Sequence, residues 1–221
     1  MSDSAEPAGP AAAPGLTRLD RRKARTRRAL LDAARAIAAE RDTGEVSIQE
    51  ITDRADVGFG SFYNHFTTKA ELFDAAVAEV LEEHGRLLDQ ASAGVEDPAE
   101  VFAVGVRTTA HLAEHHRVIA QVLVRAGLAY LTSSEGLAPR AARDIERAAA
   151  AGRFDVATPF LGVVTTTGCL LAYLHVRLQA PERLGHESVD ELVERLLRMM
   201  GMSPADAREI AARPLPAGLE G

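Results

Sequence analysis

Two short runs in this chain carry side chains suited to chemistry at a surface. The first is Ser61-Phe62-Tyr63-Asn64-His65-Phe66. On a helix, Ser61, Tyr63, Asn64 and His65 fall on or near one exposed face, while Phe62 and Phe66, four apart, can anchor the helix to a core. Hydroxyl, phenol and imidazole donors suit phosphate oxygens. Lys69, opening the next helix, adds a charge beside backbone amides that already favour an anion. The second run, His111-Leu112-Ala113-Glu114-His115, fits H-x-x-E-H, a zinc-peptidase pattern. There, two histidines one helical turn apart hold metal and the glutamate activates water. Five residues in an Ala-rich helix match such a pattern by chance, and no downstream glutamate stands out as a third ligand. The favoured reading is therefore no metal and no cofactor; a regulatory metal site on His111 and His115 with His116, and a hydrolase, are the lesser alternatives. The chain has no phosphate-binding Gly loop and no Gly-x-Ser-x-Gly elbow, and Cys169 lies in an apolar stretch without basic activators, so an enzyme is the poorer class.

The elements that must position these residues are helical. Leu30, Ala33, Ala34, Ile37 and Ala38 repeat at helical spacing from about residue 16 to 40, ending at Asp42-Thr43-Gly44. Ser47 with Glu50 reads as a capping box for a second helix, whose apolar face is Ile48, Ile51 and Ala55. Asp56-Val57-Gly58 makes a tight turn, and a third helix is expected from Phe59 to His65. Thr68 with Glu71 forms a second box for a long helix carrying Leu72, Phe73, Ala76, Val80 and Leu87. Asp97-Pro98 opens another helix, and further ones are expected over 116–130, 139–151, 158–179 and 187–200. No run alternates as a strand would, which makes the fold all-α. Residues 1–15, nearly all Ala, Pro, Gly, Ser and acid, read as a disordered tail without an export signal, so the chain is expected in the cytoplasm. The single cysteine forms no internal disulfide, suits a reducing compartment and reads as a small core residue. The apolar stretch from Pro159 to Leu174 is too short for a membrane span and is expected between layers or at a subunit interface, with Gly168 and Ala172 offering a close approach.

Composition agrees with a globular chain, at 47% hydrophobic and 26% charged. The net charge of −7 argues against nucleic acid until its distribution is considered. Between Arg18 and Arg28 seven basic residues (Arg18, Arg21, Arg22, Lys23, Arg25, Arg27 and Arg28) face only Asp20, giving +6 there and −13 elsewhere. One basic end on an acidic molecule suits docking on phosphates, although alone it also reads as a solvated, Arg-rich helix start.

The segment from Ser47 to Lys69 has the layout of a helix-turn-helix, whose second helix enters the major groove. Its pattern, Ser-Ile-x-x-Ile-x-x-x-Ala-x-Val-Gly-x-Gly-Ser-Phe-Tyr-x-His-Phe-x-x-Lys, resembles the N-terminal domain of the tetracycline-repressor family over about Leu30 to Phe73. The resemblance implies a DNA-binding domain over 16–69 and a helical effector-binding and dimerisation domain over 70–221. It implies that Ser47, Ser61, Tyr63, His65 and Lys69 hold phosphates while Gln49, Phe59, Gly60 and Asn64 face bases. The sequence departs from many relatives at Gly58 and Phe59, where they place polar and basic groups. Phe59 either meets a thymine methyl or packs on the first helix.

The resemblance further implies a ligand-responsive repressor, a homodimer through the helices near 158–179 and 187–200, on double-stranded palindromic DNA with half-sites about 34 Å or a multiple apart. A non-specific or architectural DNA binder, and an activator, are the alternatives. Polar or aromatic residues in apolar helices, namely Phe102, His111, His115, Arg125, Tyr130, Thr166 and Tyr173, are the candidates for the effector pocket, each with a packed-core or wet-surface reading beside it. Only 5% of residues are aromatic and none is Trp, which favours a fatty, aliphatic or steroid-like small-molecule effector over a flat cation.

Overall fold

The computed structural model describes residues 17–128, 131, 137–185 and 187–214; the tail expected over 1–15 and the pocket candidate Tyr130 lie outside them. The described residues form helices and turns with no strand. The long first helix, α1 (Arg18–Glu40), starts at a complete capping box. Thr17 Oγ1 accepts from the Asp20 amide at 3.2 Å, and the Asp20 carboxylate accepts from the Thr17 amide at 3.1 Å. The two expected boxes close only halfway. Ser47 caps α2 (Ile48–Arg54), but the Glu50 carboxylate pairs with Arg41 instead of returning to Ser47. Thr68 caps the long α4 (Lys69–Ala91), while Glu71 accepts from the Thr67 amide at 2.7 Å.

The turn after α2 has its left-handed residue at Asp56 (φ 52°), not at Gly58, whose φ of −64° is ordinary. Val57 N–H reaches the Thr52 carbonyl and Asp56 N–H the Asp53 carbonyl, the paired closure that lets an aspartate stand where glycine is commoner. The next helix, α3, spans Phe59–Phe62 and continues as a turn through His65, shorter than its polar pattern suggests.

The C-terminal body consists of α5 (Pro98–Ala110), α6 (Leu112–His115), α7 (Arg117–Ala126), α8 (Leu137–Ala150), α9 (Pro159–Gln179), α10 (Ser188–Met199) and α11 (Pro204–Ala211). Two apolar cores hold the chain. The first joins Leu30, Ile37, Ile51, Phe62 and Leu72 to Ile119, Leu123 and Leu174, so α1 and α4 are packed against α7 and the N-terminal head is continuous with the body. The second gathers Phe102, Ile145, Val163 and Leu197 from α5, α8, α9 and α10, with Phe154 from the segment after α8. Each fully buried large side chain contributes about 1.5–3 kcal/mol of transfer free energy.

Only one flank of α9 is buried, through Val163, Tyr173, Leu174 and Leu178. Leu161, Gly168, Cys169 and Ala172, which helical phase brings to one side, form a solvent-facing stripe beside exposed Phe160. The expectation that Cys169 is a core residue is therefore corrected, because helical phase turns it away from the buried Leu174 and Leu178. At 21 residues α9 is also long and apolar enough to cross a membrane by length and composition. Its packing on α5, α7 and α8 makes it a core helix with one face uncovered.

Candidate nucleic-acid interface and effector cavity

The helix-turn-helix is braced by ion pairs that leave its outer face free. Arg54 grips Glu40 with both guanidinium nitrogens, and Arg41 grips Glu50, so α2 is tied twice to the end of α1. Lys69 Nζ donates to the carbonyls of Gly44 (2.5 Å) and Val46 (2.9 Å) and lies 3.4 Å from that of Thr43. All three ammonium protons are directed at the loop between α1 and α2. This corrects the expected geometry: the structure puts Lys69 in the bracing of the motif, because orphan carbonyls lie within its reach.

The other DNA candidates face outward. Phe59 is 46% and Tyr63 56% exposed, and their rings meet edge-on with centroids 5.9 Å apart. Tyr63 also stands edge-on against buried Phe62 at 5.3 Å. Phe59 thus lies outside the core, on the outer surface beside Tyr63. Ser47, Gln49 and Asn64 are exposed, and Ser61 and His65 partly so. Gln49 donates to Asp53 at 2.6 Å, leaving its amide oxygen and one N–H outward. A Cβ at Gly60 would meet nothing within 4 Å, so this backbone stands open to close approach. Partial burial, reinforced by Lys23 and Arg27, holds the His65 imidazole below its usual range. Within the basic run, Arg28 pairs with Asp32 and Glu79, and Arg27 lies over the Phe66 ring at 5.3 Å. Among the described residues no ion pair engages Arg18, Arg21, Arg22, Lys23 or Arg25.

A cavity of about 160 Å³ opens between α4, α5, α8 and α9. Leu88, Phe102, Leu123, Ile145, Val163 and Leu174 make it apolar, and a few polar groups converge on it. Of the expected pocket residues, Phe102 and Thr166 line it. The remaining described ones do not. Arg125 donates to the Ala39 and Glu40 carbonyls at 3.0 and 2.6 Å, capping the end of α1 beside an open crevice. Tyr173 shares a 2.9 Å hydrogen bond with Ser188, tying α9 to α10. His111 and His115 sit at the surface around α6, with Glu114 between them. The ligating atoms of this trio lie within 4.8 Å of one another, but the Glu114 carboxylate is shared with Arg177. Burial would raise the Glu114 pKa, and the hydrogen bonds from His111 and Arg177 outweigh it, so the group is held below its usual range.

The cavity residues missed in the sequence include His84, Gly85, Thr109, Arg140 and Asp144. His84 left a signal, since it continues the stripe of Phe73, Ala76 and Val80 on α4. It is 4% exposed, and burial, with a smaller push from His116, takes its pKa down to about 4. Gly85 makes room for Arg140, whose guanidinium lies where a Cβ on that residue would stand. Arg140 in turn lies 3.6 Å from both Glu82 and Asp89, and burial raises the pKa of Asp144, another lining residue, against the pull of Arg147 and Arg143.

An outward-facing helix-turn-helix joined through one long helix to a cavity-bearing body defines a DNA-binding transcriptional regulator with a ligand site. Comparison with known proteins agrees. Residues 30–76 match the family described as bacterial regulatory proteins, tetR family, and residues 97–213 match the tetracyclin repressor-like C-terminal domain. RolR in complex with resorcinol is 34% identical, over 89% of this chain and 97% of that one, with a TM-score of 0.69. RolR without ligand is 33% identical, over 86% and 98%, with a TM-score of 0.64. A TetR-family regulator of Haemophilus influenzae shares the fold at 15% identity, over 80% and 97%, with a TM-score of 0.61. No curated protein matches in sequence. The chain belongs to the tetracycline-repressor family of transcriptional regulators.

Proposed function

We propose that the protein is a cytoplasmic repressor that binds a palindromic operator as a homodimer and is released from it by a small effector. The observation that carries this reading is the position of the cavity on α4. That helix begins at Lys69, in the bracing of the DNA head, and lines the cavity at His84, Gly85 and Leu88, about 22–28 Å further along at 1.5 Å per residue. A ligand that prefers one setting of α4 therefore shifts the head, and two heads must keep register with their half-sites.

In this reading Ser47, Ser61, Tyr63 and His65 contact phosphates, assisted by the cations of α1 that make no ion pair among the described residues, while Gln49, Phe59, Gly60 and Asn64 face base edges. The head spans 16–69 and the effector and dimerisation body 70–221. The apolar stripe of α9, with Phe160, Leu161 and Met199 exposed, supports a dimer contact through α9 and α10. Cavity size favours a compact effector over the fatty or steroid-like one that composition suggests. An apolar cavity of about 150 Å³ takes up benzene, whereas drug-sized ligands use roughly 300 Å³ or more. The ring ligand named for RolR has this scale.

The test is selection of duplexes from a random pool, followed by sizing of the complex. A repressor returns one palindrome, bound by two chains and preferred by about 10³ or more over unrelated sequence. Uniform binding with a steep salt dependence would instead mark an architectural DNA protein.

A further inference from the structure

The hydrogen bonds around His84 specify what a ligand in the cavity must offer. His84 Nε2 lies 3.0 Å from Thr109 Oγ1, and that hydroxyl donates to the Gly105 carbonyl at 2.8 Å. A hydroxyl has a single proton. With that proton directed at Gly105, the Thr109 oxygen accepts, so Nε2 carries the imidazole hydrogen and Nδ1 keeps a lone pair. The opposite tautomer would bury an N–H with no acceptor, which costs more than an unfilled lone pair in a group that is otherwise satisfied. Nδ1 is buried and has no partner. Thr166 Oγ1, on the α9 wall, is likewise buried and unpartnered.

We infer that His84 is the ligand-recognition residue of the cavity, and that it selects a neutral, single-ring molecule whose hydroxyl donates to His84 Nδ1. This rests on the reading of the cavity as the effector site. Thr166 Oγ1 takes a second polar substituent of the ring, and the leucine, valine and phenylalanine walls take its faces. A carboxylate brings only acceptors, so it meets the Nδ1 lone pair unfavourably, and the burial that keeps His84 unprotonated denies it a counter-charge. Because His84 belongs to α4, the recognition bond falls directly on the helix that carries the DNA head.

The test uses the full chain with ¹⁵N-labelled histidine. Phenol and resorcinol are the donor probes; anisole and 1,3-dimethoxybenzene keep the ring without a donor, and benzoate supplies an anion. Binding is read by calorimetry, and His84 by its imidazole nitrogen shifts. Expected are an Nε2–H tautomer in the free protein, binding of the hydroxyl probes about tenfold or more tighter than the ethers, a change in the Nδ1 shift only with the hydroxyl probes, and no binding of benzoate. His84→Leu abolishes that preference. Should that variant fail to fold, Thr109→Val serves: it removes the acceptor that fixes the tautomer, so both tautomers appear and the preference for hydroxyl probes shrinks. Equal binding of ethers and phenols, an Nδ1–H tautomer in the free protein, or no binding by any ring probe would overturn the inference. Discrimination as expected, with operator affinity unchanged by the bound phenol, would leave the inference standing and overturn the repressor reading.

Discussion

The DNA-facing head and the effector cavity hold similar polar side chains and treat them in opposite ways. In the head the polar groups that hold the scaffold are satisfied internally, as Arg54 is on Glu40 and Lys69 on the loop carbonyls, and the proposed contact residues Tyr63 and Asn64 stand in solvent with Ser61 partly so. In the cavity the atoms proposed to meet the ligand, His84 Nδ1 and Thr166 Oγ1, are buried with their hydrogen-bonding capacity unused. The head faces a ligand far larger than itself and needs only a rigid platform. The cavity must recognise a few atoms, and it keeps unsatisfied groups in reserve, each at a cost of about 1–3 kcal/mol that a fitting ligand removes.

The largest expected effect sharpens the rigid side of that contrast. Phe62 is fully buried beneath the outer face of α3, so Phe62→Ala should cost about 3–5 kcal/mol of stability. Thermal unfolding checks it, and DNA binding should be lost with the fold of the head. A loss of binding without loss of stability would move Phe62 from the platform to the interface.

Next comes the pH dependence of the cavity. Above about pH 6.5 His84 is neutral in both folded and unfolded chains; as pH falls towards 4 only the unfolded chain takes up the proton. Stability conferred by its burial is thus present above pH 6.5 and declines below it, by roughly 3 kcal/mol in full at about 1.4 kcal/mol per pH unit. Denaturant melts of the wild type and His84→Leu between pH 7 and 4.5 should converge on the acid side. Parallel curves would mean that His84 is solvated.

A smaller pair of substitutions separates bracing from contact. Lys69→Met removes charged hydrogen bonds to loop carbonyls and should lower stability by about 1–3 kcal/mol, with DNA affinity falling as a consequence. Tyr63→Phe should leave the melt unchanged and weaken binding to every sequence alike by about 0.5–1.5 kcal/mol, read by fluorescence anisotropy. His65 gives the smallest effect. Phosphate favours its charged form, so operator binding should strengthen modestly from pH 7.5 to 6, and His65→Gln should flatten that slope.

How far each region was legible follows from how it is assembled. The head is contiguous: Ser47, Phe62, Tyr63 and Phe66 fall within one short stretch, where helical period and caps decide which residues face out. Even there, the destination of Lys69 was hidden, since it depends on where the loop of Thr43, Gly44 and Val46 folds back. The cavity draws His84, Thr109, Arg140 and Thr166 from four helices, and no local pattern says that they meet. Residues chosen for being polar in apolar helices divided accordingly: Thr166 met the cavity, whereas Arg125 found orphan carbonyls and Tyr173 found Ser188. The short α11 lies beyond the helices expected from the sequence: Ser203-Pro204 with Asp206 is a helix start, but eight residues are too few to carry a hydrophobic stripe like that of α10.

The proposed coupling of the two regions through α4 is tested most directly by the operator affinity of the full-length protein with and without a saturating single-ring phenol, measured by fluorescence anisotropy at fixed salt. A fall of about 5- to 150-fold, the range of a coupling free energy of roughly 1–3 kcal/mol, is the predicted result. An affinity unchanged while calorimetry shows the phenol bound would contradict it.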